Sequence, residues 1–62
     1  MQSKEYYRER LLDFKPYVNI SAVAKAVGIS RNALVMFMKG SEFNYALSVE
    51  TAEKVVRFLE NI

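Results

Sequence analysis

Residues 22–40 read "AVAKAVGISRNALVMFMKG": a short apolar-periodic run, a glycine, a polar Ser-Arg-Asn step, then five apolar residues from Leu34 to Met38. Gly28 accepts the left-handed conformation that closes a helix without a side-chain clash, so one helix ends there. Upstream, Val23, Ala24 and Val27 share one side and Lys25 the other, and Asn19 or Ser21 is placed to cap a helix of about eight residues. Downstream, Ser30 stands as the N-cap of a second helix, from Arg31 to about Lys39, that Gly40 stops. Leu34, Phe37 and Met38 share one face of it by their i, i+3, i+4 spacing, while Arg31, Asn32, Val35, Met36 and Lys39 point elsewhere. The apolar run is therefore divided between a core face and an outward face.

The flanks supply two more helices. From Ser3, an available N-cap, to Phe14 the residues are good helix formers, with Tyr7, Leu11 and Phe14 at i, i+4 and i+7. Lys15-Pro16 ends that helix because the residue before proline is pushed out of the helical region, and Tyr17-Val18 form a short connector. Residues 40–47 lack helical periodicity and read as a loop, or a brief hairpin, with Phe43, Tyr45 and Leu47 tucked partly inward. Ser48 caps the last helix, whose Ala52, Val55, Val56 and Leu59 form an i, i+3, i+4, i+7 stripe. Glu50 to Lys54 and Glu53 to Arg57 are i, i+4 pairs in the favourable order. The sum is an all-α, four-helix single domain over residues 1–62 with a helix-turn-helix at its centre.

A chain of 62 residues cannot build two separate cores. Domains of this size draw only about 3 to 5 kcal/mol from one core, and the usual staples are missing here. With neither Cys nor His there are no disulfides and no ordinary zinc ligands, so no metal or cofactor is expected and a second subunit is the natural reinforcement. An enzyme is not expected either: His and Cys are absent, the carboxylates are spread over several helix faces, and both glycines are helix stops rather than parts of a phosphate loop. A charged N-terminus and the lack of a long apolar run lead to the expectation of a cytoplasmic, membrane-free protein.

The formal net charge is only +2, yet its distribution is uneven. Residues 1–18 carry a net +1 and residues 41–62 a net −2, while residues 19–40 hold Lys25, Arg31 and Lys39 with no acid at all. A positive field concentrated on one element suits a phosphate-facing role.

Two short helices meeting at a steep angle need a left-handed residue in the turn and a small residue where the backbones cross, which Gly28 and Ala24 provide. They also need apolar plugs from both helices, and Val23, Val27, Ile29, Leu34 and Phe37 sit at the required places. Residues 20–39 resemble the helix-turn-helix of the phage lambda repressor and Cro group, and "VGISRNAL" is also similar to the headpieces of lactose-repressor-type regulators. The later "LSVETAEKVVRFL" is similar to the helix that follows the motif in both, so the resemblance spans residues 7–60.

The resemblance implies that the second helix of the motif lies in the major groove of double-stranded DNA. Carried onto this chain, the base-contacting residues are Arg31, suited to guanine, Asn32, suited to adenine, and Val35 and Met36, suited to a thymine methyl. The phosphate-contacting residues are Asn19, Ser21, Lys25, Ser30 and Lys39. Many members of the group place a glutamine at the start of the first motif helix, where this chain has Ile20; Asn19 and Ser21, beside the free helix amides, are the substitutes. Of the adjacent Tyr6 and Tyr7, one is expected in the core and the other free for a phosphate. Two-fold pairing over a palindromic operator would double the base contacts, and Phe58 and Ile62, off the last helix's stripe, are the candidate homodimer surface. A small phage or mobile-element repressor without a small-molecule inducer is the implied function. The alternative is a protein-interaction module, such as an antirepressor or adaptor, gripping a partner through Val35, Met36 and the Phe43-to-Leu47 loop.

Overall fold

The computed structural model describes residues 2–61. It is all-helical: α1 (Lys4–Phe14), a 3-10 turn (Lys15–Tyr17), α2 (Ile20–Val27), α3 (Arg31–Lys39), a 3-10 segment (Ser41–Ala46) and α4 (Val49–Glu60), within 26 × 22 × 20 Å. Three of the four helices start where a side chain takes up a free backbone amide. Ser3 accepts from Tyr6 N at 3.2 Å, Asn19 from Ala22 N at 3.1 Å, and Ser48 from Thr51 N at 3.2 Å.

One core serves all the elements. Tyr7 and Leu11 come from α1, Val23 and Ala24 from α2, Leu34, Phe37 and Met38 from α3, and Ala52, Val55, Val56 and Leu59 from α4, with Leu47 joining them from the final connection. Phe14, Val27 and Ile29 pack half-buried at its margin. Every apolar residue expected inside α2 and α3 thus meets the core. No single helix among the described residues is long and apolar enough to cross a membrane.

The turn between α2 and α3 is built on Gly28, at φ +87, the only residue in the left-handed region among the described residues. Its N–H and that of Ile29 both donate to Ala24 O at 2.9 Å, closing α2 and turning the chain so that α3 leaves at 118° to it. Ala24 is 1% exposed, small enough to let the two helices approach where they cross.

Gly40 ends α3 where the sequence places the stop, but by a different route from Gly28. At φ 162 and ψ 175 its backbone is extended, so α3 ends because the chain straightens into the next segment. The left-handed device is needed only at the sharp turn. Residues 41–46 are also neither hairpin nor irregular loop: they wind as 3-10 turns broken at Phe43, with φ −108 and ψ 24. Leu47 is buried and Phe43 half-buried, but Tyr45 points out with 73% of its surface exposed, because successive short turns cannot bring three side chains of this stretch to one side.

A charged residue joins these parts. Arg8 is 5% exposed, its guanidinium lying 4.7 Å from the centre of the Phe37 ring. Its Nε donates to Phe37 O at 2.7 Å, its Nη1 to Glu5 Oε1 at 2.5 Å, and its Nη2 to Asn44 Oδ1. Lys4 Nζ donates to Asn44 O at 2.9 Å and holds the same segment. One side chain of α1 therefore fixes the C-terminal end of α3 and the turn beyond it.

Removing that guanidinium leaves a buried carbonyl and the Asn44 amide without their donors. Arg8→Ala is expected to lower the unfolding free energy by about 2 to 4 kcal/mol, most of the margin of so small a domain, as a urea titration would read. Gly28→Ala should cost about 1 to 2 kcal/mol from backbone strain alone, since a Cβ there meets nothing within 4 Å. Gly40→Ala should change stability by under about 0.5 kcal/mol in the same titration.

Candidate nucleic-acid interface

The residues singled out in the sequence divide into three groups. Arg31, Asn32 and Lys39 are exposed along α3, and Ser21, Lys25 and Asn19 are exposed on and before α2. None of these cations takes part in an ion pair among the described residues. Lys25 stands on the side of α2 opposite Val23 and Val27.

Val35 and Met36 form the second group, and neither is the bare apolar contact that was expected. Both are half-buried. Val35 lines, with Ile20 of α2 and the buried Met38, a cleft of about 120 Å³. The outward face of α3 is consequently polar at its start and partly sheltered in its middle.

The third group is the two N-cap positions, Asn19 and Ser30, only the first of which has a structural partner. Asn19 uses its Oδ1 on the Ala22 amide, leaving only the side-chain NH2 to reach outward. Ser30 does the reverse: it occupies the N-cap position of α3 with extended backbone angles, but its hydroxyl makes no capping hydrogen bond. The first-turn amides of α3 therefore take no cap from Ser30, unlike those that the equally exposed Ser3 and Ser48 cap. Both the Ser30 hydroxyl and the α3 amides face solvent beside Arg31 and Asn32.

Lys15 belongs to this surface although its place in the sequence sets it with α1. Lys15 keeps helical angles (φ −47, ψ −46) even before Pro16, the chain runs on as a single 3-10 turn, and Lys15 lines the same cleft as Ile20, Val35, Met38 and Lys39. Four cations, Lys15, Lys25, Arg31 and Lys39, thus lie in a stretch from residue 14 to residue 41 that has no carboxylate. The pairings elsewhere sharpen the contrast. All ion pairs among the described residues are made on α1 and α4: Glu5 with Arg8, Asp13 and Glu60 with Arg10, and Glu53 with Arg57.

The remaining expected residues lie away from this face. Tyr7 is buried and donates its hydroxyl to Glu53 Oε2 at 3.0 Å, while Tyr6 stays on the surface. Phe58 is 39% exposed, a partly covered residue rather than a broad apolar patch. Ile62, its expected companion, lies outside the described residues. The most exposed aromatic is Tyr17, at 84%, in the Lys15 turn.

Comparison with known proteins gives no match to any family model, curated protein or solved structure.

The free hydroxyl of Ser30 separates binding from folding. Ser30→Ala should cost less than about 0.5 kcal/mol of stability, whereas Ser48→Ala, which removes a cap that is made, should cost about 1 kcal/mol. Paired thermal melts of the two variants would check this.

Proposed function

We propose that this chain binds double-stranded DNA with sequence preference, laying α3 in the major groove, and that it acts as a small phage or mobile-element transcriptional regulator, repressing by occupying a promoter. The observation that carries this reading is the segregation of charge on the helix pair. Among the described residues four cations stand free of ion pairs on or beside two helices crossed at 118°, and the surrounding stretch contains no acid to weaken their attraction for phosphates. The crossing falls within the range of helix-turn-helix units. The start of α3 carries the chemistry of base readout: Arg31 is matched to guanine and Asn32 to adenine, and Ser30 and the free amides are matched to a phosphate.

The half-burial of Val35 and Met36 also bears on the choice of partner. A protein-gripping module would need an exposed apolar patch on this face, and these two residues are withdrawn from it. In the DNA reading they need only supply one apolar contact to a thymine methyl. Binding as a homodimer to a palindromic operator would supply the second set of base contacts that one short helix lacks, with Phe58 at the pairing surface. The cytoplasm is the compartment this function requires.

Selection from random duplexes at about 100 mM salt should enrich one half-site motif. Arg31→Ala should then weaken binding by about 1 to 3 kcal/mol and relax the preference at one base pair. Lys25→Ala should lower the affinity for all sequences alike. Failure of the selection to enrich any motif, with capture of a protein partner that Val35→Asp abolishes, would replace this reading by a protein-interaction role.

A further inference from the structure

Lys15 and Lys39 come from elements more than twenty positions apart in the chain, yet they rim one cleft. Its floor is Ile20, Val35 and Met38, and no carboxylate lines it. Two cations held across an apolar floor make a surface with a definite chemical preference. An anion must sit between the lysines, and whatever carries it must present apolar atoms inward. A segment of phosphodiester backbone meets both demands, with its phosphate oxygens outward toward the ammonium groups and its deoxyribose against the methyl-rich floor.

We propose that this cleft is a backbone clamp, in which Lys15 and Lys39 together seat one strand of DNA at the edge of the groove that α3 enters. The proposal rests on the DNA-binding reading and adds to it a contact from outside the helix pair. Continuity supports this occupant: Val35 and Lys39 lie on the same side of α3 as Arg31 and Asn32, so a strand in the cleft borders the bases those residues face. Complementarity of charge supports it as well, since the nearest acids in sequence, Asp13 and Glu42, do not line the cleft and Asp13 is engaged with Arg10 at 3.5 Å. Pro16 fixes φ within the 3-10 turn, which limits the backbone freedom of the segment that carries Lys15.

The test is the salt dependence of binding to the selected duplex, measured for the wild-type chain, Lys15→Ala, Lys39→Ala, the double variant, and Lys54→Ala as an exposed cation on α4. Each cleft substitution should flatten the slope of log affinity against log salt by about 0.9 and the double variant by about twice that, with Lys54→Ala unchanged. Circular dichroism should find all variants folded, because these side chains are exposed and make no hydrogen bond in the fold. If Lys39→Ala flattens the slope while Lys15→Ala behaves like Lys54→Ala, the clamp is refuted and the DNA-binding reading stands. If the wild-type chain binds no duplex but binds an acidic peptide through both lysines, the clamp and that reading fall together.

Discussion

The guanidinium of Arg8 is the interaction on which the other arrangements depend. Taking a charge out of water costs several kcal/mol unless its hydrogen-bonding capacity is met, and here it is met by a carboxylate, a backbone carbonyl and a side-chain amide. The Phe37 ring beneath it adds a favourable face. The carbonyl it takes belongs to the last turn of α3, where helix carbonyls lack partners and the helix dipole places partial negative charge. Arg8 thus acts as a cap supplied from another helix. Because the same group holds Asn44, the end of α3 and the start of the following turn are fixed together, and with them the direction in which the helix presents its outer side.

That arrangement lets the molecule keep two electrostatic regimes apart. On α1 and α4 opposite charges are paired, and the field they project is short-ranged. On the stretch from Lys15 to Lys39 the charges are of one sign and unpaired. The Debye length at 0.1 M salt is about 10 Å, less than half of the molecule's longest extent of 26 Å. An approaching partner therefore senses the nearer face, and the small net charge of the whole chain says little about what that face attracts.

The parts of this fold that were legible in the sequence are those fixed by neighbours in the chain. The Ser3, Asn19 and Ser48 caps, the Gly28 turn and the apolar stripe of α4 each depend on residues within about four positions, and each is found where the pattern places it. What was not legible depends on distant partners. Arg8 reads as an ordinary charge on an amphipathic helix because its acceptor, a carbonyl, lies 29 positions away and has no side-chain signature. Lys15 reads as the end of α1, and only the path taken after Pro16 brings it to Lys39. Val35 has the spacing of an outward residue on α3, yet it is half-buried and lines a cleft with Ile20 of another helix. Gly40 shows the limit of residue type as a guide, since a glycine can end a helix without using the conformation that only glycine tolerates.

Among the described residues, the side chains of Arg31, Asn32 and Lys39, and the hydroxyl of Ser30, make no hydrogen bond or ion pair. They are exempt from structural duty, and the helix that carries them is held from its opposite side by Leu34, Phe37 and the Arg8 guanidinium. Such a division makes the outer surface evolvable. A lineage carrying this scaffold could exchange these side chains one at a time, and under the proposed role trade one binding preference for another, without passing through an unfolded intermediate sequence. Val35 is the exception: its share in the cleft floor binds any change there to Ile20 and Met38, so drift in preference should run fastest along Arg31 and Asn32 and slowest at the helix's middle.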